Sequence, residues 1–323
     1  MLGTLTKQLF QATGRYISFH TGRVFGRNSA LRPPSTERLG PVAGSRIVTH
    51  PPAYQPRQPF DWLLLGEPDS QIYTGIPSDA VLDLLIREPK FVLDVGCSVG
   101  DFAAMIKARF PQSRIWGIEP NSHAADIASG RIERVLCQPI EDVNWEQEGV
   151  LRGDIDTVVL FDVLEHIYDP WKTLLTLRNL VSPTAQLLLS IPNVRNAPLI
   201  QDLISGHWRY RTAGLLDITH IRFFTRQDMY RMFYQTGFRV VATGSTRCPV
   251  SAEIFQKHVN GSFPRQVTLD SMSLTVHTPQ DLSDLCTLQH LFTLVPAEYA
   301  NLSAEERAWV DAPHPPTIAY APE

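Results

Sequence analysis

The chain has 323 residues, enough for one sizeable hydrophobic core and, at roughly 150 residues per domain, for one or two domains. Apolar residues make up 43% and charged residues 19%, which argues against a wholly disordered chain. The net charge of −4 gives no strong nucleic-acid signal, but it hides a split. Residues 1–60 carry eight basic side chains against the single acid Glu37, a net +7, while the other 263 carry 21 basic and 32 acidic, a net −11. No apolar run reaches the length of a transmembrane segment, and the first 20 residues lack the apolar stretch of a secretory signal. Cys97, Cys137, Cys248 and Cys286 lie far apart with no C-x-x-C pair. That pattern fits reduced thiols in a cytosol-like compartment and offers no zinc cage.

In chain order, Leu2, Leu5, Leu9, Ala12 and Tyr16 follow a helical spacing, with Lys7 and Arg15 off the stripe. Such a start is compatible with a solvated arm, with a mitochondrial presequence, or with a helix touching a membrane surface or a protein partner. The expected location is cytoplasmic, or mitochondrial if the arm is a presequence. Seven prolines within residues 33–59 make an extended linker. From residue 77 helix and strand signals alternate. A helix over Val81–Ile86 leads to strand Phe91–Val95, then a helix from Asp101 to Arg109 and strand Arg114–Glu119. A short helix, Ser122–Ala128, precedes a weak strand at Arg134–Cys137, and Ile155–Phe161 is a strongly apolar strand. Asp169 and Pro170 form the N-cap and first position of a helix. Strand Ala185–Ile191 follows. Thr225 and Asp228 make a capping pattern for a helix ending at Gly237, after which Phe238–Thr243 reads as a strand. Residues 249–287 have no clear pattern, Leu288–Val295 returns as a last strand, and residues 297–323, with four prolines, read as a flexible tail. This alternation predicts an α/β fold with a mostly parallel, doubly wound sheet.

The sharpest segment is the run Val92 to Phe102, VLDVGCSVGDF, a buried strand entering a glycine turn and a helix. Ligands of open α/β sheets bind at such turns. Glu119, at the end of the next strand, stands where an acid accepts hydrogen bonds from a ribose diol. A dinucleotide site, as in an NAD-type oxidoreductase, wants G-x-G-x-x-G. Here Gly96, Ser98 and Gly100 give G-x-S-x-G, preceded by Asp94. An acid there repels pyrophosphate and suits a cationic amino group, which favours a cofactor carrying ammonium and sulfonium charge.

The run Leu93 to Gly100 resembles the first motif of class I S-adenosylmethionine-dependent methyltransferases, and Gly117 to Pro120 (GIEP) resembles the second. Phe161 to Pro170 (FDVLEHIYDP) looks like the fourth-strand motif of the same superfamily. Ser190 to Asn196 (SIPNVRN) and Gly214 to Thr225 (GLLDITHIRFFT) are similar to a subgroup associated with glycan and secondary-metabolite modification. The resemblance covers roughly residues 70–296 and implies a Rossmann-like fold with an antiparallel last strand in a single catalytic domain over 61–296. Ser98 stands where the family often has glycine. By this resemblance Asp94, Gly96, Cys97, Ser98 and Gly100 border the methionine end of S-adenosylmethionine and Glu119 the ribose. Glu141 or Asp142 lies near adenine, and Phe161 beside the cofactor.

Transfer of a methyl group to a hydroxyl requires the hydroxyl's proton to leave, which calls for a base or a metal ion. His166 and His220 are the candidate bases. The D-x-x-E-H pattern with a distant histidine also resembles the metal site of small-RNA 3′-end 2′-O-methyltransferases and ubiquinone-pathway O-methyltransferases. That resemblance makes Asp162, Glu165, His166 and His220 candidate ligands of a divalent ion. Residues 205–224 are long for a connection and read as an acceptor lid, in which Trp208 and Tyr210 either face a sugar or plug the core beneath. His123, His258 and His290 read as structural. The expected activity is O-methylation of a sugar-bearing or small-molecule acceptor; a non-catalytic methyltransferase-like partner or assembly protein is the other reading.

Overall fold

The computed structural model describes residues 79–311 except Ser271. The expected arm and linker of residues 1–60, the first part of the expected domain and residues 312–323 lie outside the described residues. No helix among the described residues is long and apolar enough to cross a membrane.

The elements alternate as β1 (Phe91–Val95), α1 (Asp101–Arg109), β2 (Arg114–Ile118), α2 (Ser122–Ser129), β3 (Arg134–Leu136), β4 (Ile155–Phe161), α3 (Pro170–Leu180) and β5 (Val181–Pro192). They continue with α4 (Ala197–Ile204), α5 (Arg226–Gln235), β6 (Phe238–Thr246), α6 (Pro249–His258), β7 (Arg265–Thr268) and β8 (Ser273–Val276). The described chain closes with α7 (Pro279–Cys286), β9 (Gln289–Pro296) and α8 (Ala304–Asp311). Seven strands form one mixed sheet in the order β3-β2-β1-β4-β5-β9-β6. Neighbours from β3 through β5 are parallel, and β9 runs antiparallel to both β5 and β6. This is the Rossmann-like architecture with an antiparallel last strand that the sequence predicts.

β1 is buried along its whole length because both faces of the sheet are covered. On one face Leu93, Val158, Leu160 and Leu189 meet Leu174 and Leu177 of α3 and Met229, Met232 and Phe233 of α5. On the other, Val92, Val159 and Leu188 meet Phe102 and Ile106 of α1 and Ala128 of α2. Asp169 caps α3 through Lys172 N at 3.0 Å, with Pro170 at its first turn. Thr225 and Asp228 form the expected capping box of α5.

Three local readings change. The helix expected over Val81–Ile86 is a six-residue 3-10 turn, Asp79–Leu84. The Gln186 side chain accepts Ile86 N at 2.8 Å and Arg87 N at 3.3 Å, drawing those amides away from a helical ladder. Residues 249–287 form α6, the β7–β8 hairpin and α7, packed with Ala197 around Val267, Val276, Leu282, Leu285 and Cys286. The expected loose tail begins with an ordered element. Ser303 and Glu306 exchange hydrogen bonds at the start of α8 (2.7 and 3.2 Å), and Glu306 receives Arg239 of β6 at 2.7 Å.

Candidate active site

The strand order reverses at β1, whose neighbours are β2 and β4, and the crevice at the carboxyl ends of these strands is where such sheets bind ligands. The turn after β1 is built on left-handed backbone at Gly96, Ser98 and Gly100 (φ 68°, 46° and 79°). Gly96 and Cys97 both donate to Ile118 O, at 2.8 and 3.1 Å. An ideal Cβ on Gly96 would lie 2.8 Å from the Val163 Cγ2 methyl, so the turn after β4 closes directly onto this glycine.

Glu119 sits where expected and is almost buried. One carboxylate oxygen accepts Ser98 N at 2.8 Å and the other Asn121 N at 2.9 Å. Each oxygen retains a second lone pair for a ribose hydroxyl. Asp94 is buried, and its Oδ2 has no hydrogen-bond partner. Burial, and after it the charge of Glu119, push its carboxyl up to about 7. A buried, unpartnered carboxyl oxygen beside a glycine turn fits the ammonium group of S-adenosylmethionine.

Of the other expected contacts, Phe161 packs edge-on to Phe102 at 4.9 Å, at the end of β4. Cys97 reaches the site through its backbone alone. Its thiol turns into the core, filling the space left by the missing side chain of Gly117, and burial with the Asp94 charge pushes its pKa up. Glu141 and Asp142 lie on an exposed 3-10 turn, Ile140–Asp142.

The turn after β4 carries the candidate chemistry. Glu165 is 1% exposed and neither carboxylate oxygen has a hydrogen-bond partner. Its Oε1 lies 3.9 Å from His220 Nε2, and the His166 and His220 rings meet edge-on at 4.8 Å. One ligand atom from each of Glu165, His166 and His220 falls within 4.8 Å of the others. Burial, then the neighbouring His220, pulls the His166 imidazole down to about 4, and burial lowers His220. Burial, then Asp162, raises Glu165 well above the usual carboxylate range. All three shifts favour the neutral form.

Asp162, expected in the same cluster, faces elsewhere. From left-handed backbone (φ 54°) it accepts Ser190 Oγ and Gln289 Nε2, each at 2.8 Å. Ser190 and Gln289 were not foreseen as site residues, and neither were Asp217 and Thr219. Thr219 Oγ1 lies 3.1 Å from His166 Nδ1 and 2.7 Å from Asp217 Oδ1. The adjacent D-x-T-H order was the one visible signal; Gln289 is 127 positions from Asp162 and gave none.

Beside this cluster residues 205–214 are exposed, whereas Leu216, Asp217, His220 and Phe224 of the same segment are buried. Trp208 and Tyr210 are exposed and do not plug the core, and Trp208 meets Phe223 edge-on at 5.6 Å. The Arg222 guanidinium lies over the exposed Tyr168 ring at 4.7 Å. A cavity of about 440 Å³ is lined by Trp171, Arg222, Phe223, Phe224, Asp228, Arg231 and Gln235. Elsewhere His290 is buried with Nε2 unpartnered, and His258 is half-buried.

This crevice, with a glycine turn, a buried acid with one unpartnered oxygen and a second acid anchored by Ser98 N and Asn121 N, fits an adenosyl cofactor in an α/β protein. The chain belongs to the methyltransferase domain family, whose model matches residues 72–243, more than half of its length; these are class I S-adenosylmethionine-dependent enzymes. The match overturns the NAD-type reading.

Trans-aconitate 2-methyltransferase of Escherichia coli O139:H28 is 32% identical over 122 residues, which are 36% of this chain and 46% of that protein. The chain thus spans about half the length of the curated relatives it matches. Among solved structures, a methyltransferase of Thermotoga maritima described as a possible histamine N-methyltransferase is 15% identical, with a TM-score of 0.44 over 68% of this chain and 86% of that one. The plantazolicin methyltransferase solved with S-adenosylhomocysteine is 15% identical, with a TM-score of 0.42 over 68% and 81%.

Proposed function

We propose that this chain transfers the methyl group of S-adenosylmethionine to a hydroxyl of a small-molecule acceptor, a sugar-bearing molecule being the class its rim suits. One observation carries the reading. Val163 closes onto Gly96 of the cofactor turn, and two and three residues further on Glu165 and His166 meet His220 in a buried, neutral cluster.

S-adenosylmethionine, when bound, supplies an electrophilic methyl group on a sulfonium. Asp94 faces the ammonium, Glu119 the ribose, and the backbone of Gly96 to Gly100 lines the approach. His166, neutral at pH 7, takes the hydroxyl proton, and His220 and Glu165 complete the wall beside it. Trp208, Tyr210 and Phe223 offer faces for sugar rings, and Arg222 a cation for an acidic substituent. On this reading residues 61–296 form the catalytic domain and 205–224 its acceptor lid. The +7 of residues 1–60 supports a separate arm that meets a membrane surface or a protein partner. The free thiols support a reducing, cytoplasm-like compartment.

A divalent ion is a second use of the cluster. His220 Nδ1 donates to Leu215 O at 3.3 Å and His166 Nδ1 meets Thr219, and one ligand atom from each of Glu165, His166 and His220 lies within 4.8 Å of the others, a spacing that suits a donor set. Glu165, His166 and His220 would hold the ion, which would lower the pKa of an acceptor hydroxyl.

The test incubates the full chain and S-adenosylmethionine with glycosides, phenols, aliphatic alcohols and trans-aconitate, reading S-adenosylhomocysteine release before and after chelation. Methylation of a hydroxyl acceptor that falls at least a hundredfold in His166→Gln supports the reading. Loss on chelation with recovery in added metal selects the ion. Methylation of trans-aconitate alone, or full activity in His166→Gln and His220→Gln, overturns it. Cofactor binding without turnover of any acceptor favours a non-catalytic partner protein.

A further inference from the structure

We propose that Asp217 and Thr219 are positioning residues that fix the tautomer of His166, placing the proton on Nδ1 and the lone pair on Nε2. The proposal deepens the methyl-transfer reading, since that reading needs a proton-free nitrogen on His166.

The hydrogen-bond directions follow from atom types. Thr219 Oγ1 stands 2.7 Å from Asp217 Oδ1, and Asp217 Oδ1 also accepts Thr219 N at 2.9 Å. A carboxylate oxygen accepts, so the threonine hydroxyl spends its one proton there. Toward His166 Nδ1, 3.1 Å away, the same hydroxyl can then only accept. The Thr219 carbonyl oxygen lies 3.3 Å from the same nitrogen, and a carbonyl never donates. Two acceptors therefore face Nδ1, and a neutral imidazole satisfies them only with its proton there.

The turn holding these groups is tied down on both sides. Asp217 is 2% exposed, its N–H donates to Gly214 O at 3.0 Å, and its carbonyl accepts His220 N at 3.0 Å. Glu165 O accepts Ile221 N and Arg222 N at 2.9 and 3.0 Å, which joins this turn to the one carrying His166. The two histidines are fixed by different means. His220 Nδ1 faces a main-chain carbonyl, Leu215 O, whereas His166 depends in part on a side chain that substitution can change.

The test is a long-range proton–nitrogen correlation spectrum of the full chain labelled with nitrogen-15 at histidine, with His166 assigned through His166→Gln. In the unmodified protein His166 should show a protonated Nδ1 and an unprotonated Nε2. Thr219→Val should shift the tautomer ratio toward Nε2–H by about two- to tenfold, and Thr219→Ser, which keeps the hydroxyl, should restore it. Asp217→Ala removes the acceptor, which frees the threonine proton to point at Nδ1, and should move the ratio in the same direction, which covers a failure of Thr219→Val to fold. A His166 protonated on Nε2 in the unmodified protein, or a ratio unchanged in both Thr219→Val and Asp217→Ala, overturns the proposal. The spectrum needs no acceptor. An intact Nε2 lone pair in a protein that methylates no hydroxyl would sink the methyl-transfer reading and leave the tautomer assignment standing.

Discussion

Replacing Asp94 with asparagine should stabilise the cofactor-free protein at pH 8 while weakening its hold on S-adenosylmethionine. The carboxyl is 4% exposed, and burial followed by the Glu119 charge lifts it from its ordinary 3.8 to about 7. The folded state thus keeps this proton up to about 7, whereas the unfolded chain gives it up near 3.8. Between those values the folded state binds more protons, so stability falls as pH rises through the window. At about 1.4 kcal/mol per pKa unit the full effect at pH 8 is on the order of 4 kcal/mol. Asparagine removes the charge but leaves a buried polar group, so a net gain of about 2 kcal/mol at pH 8 is expected, several degrees in Tm. At pH 4, where the folded carboxyl is neutral, the gain should vanish. Thermal unfolding of both proteins from pH 4 to 8 reads this directly.

Binding has the opposite sign. An ammonium group favours the ionised carboxylate, so affinity of the unmodified protein for S-adenosylmethionine should rise from pH 6 to 8. Asp94→Asn should lose that rise together with about ten- to a hundredfold in affinity, the worth of a charged hydrogen bond. An Asp94→Asn protein less stable than its parent at pH 4 and 8 alike, with affinity unchanged, would refute the reasoning.

Gly96→Ala should cost about 1–2 kcal/mol from its left-handed backbone alone, with a further penalty from the Val163 methyl 2.8 Å away. Adding Val163→Ala should recover the second part and not the first, by denaturant unfolding. Leu189→Ala, at a fully buried position between the two sheet neighbours of β5, should cost about 2–5 kcal/mol in the same assay. The Arg239–Glu306 pair, partly exposed at 37% and 15%, should show a coupling below about 1 kcal/mol in a double-mutant cycle. A larger coupling would mean that α8 contributes more to stability than this ion pair suggests.

The cofactor half of the site was legible because its chemistry lies in short, contiguous runs. Strand β1, the glycine turn and Glu119 fall within 29 residues, and hydrophobic burial with positive φ leaves few alternatives there. The acceptor half is assembled from turns more than 50 positions apart, and no local pattern states that Thr219 meets His166 or that Gln289 turns Asp162 aside. The exposure of Trp208 and Tyr210 is equally a tertiary fact. In the 249–287 region the elements are brief: two four-residue strands, helix α6 announced by Pro249 and helix α7 by Thr278, Pro279 and Asp281 alone. The capping pair Ser303 and Glu306 of α8 was present in the sequence, but the scarcity of large apolar residues around it masked the helix.

On the proposed reading, Asp94, the glycine turn and Glu119 together bind S-adenosylmethionine. Calorimetric titration of the cofactor into the full chain and into Glu119→Ala tests it most directly. One site on the unmodified protein, weakened at least thirtyfold in Glu119→Ala through loss of ribose contacts and of the Ser98 and Asn121 anchors, is the predicted result. No heat with the unmodified protein, or equal affinity for both, would contradict the account.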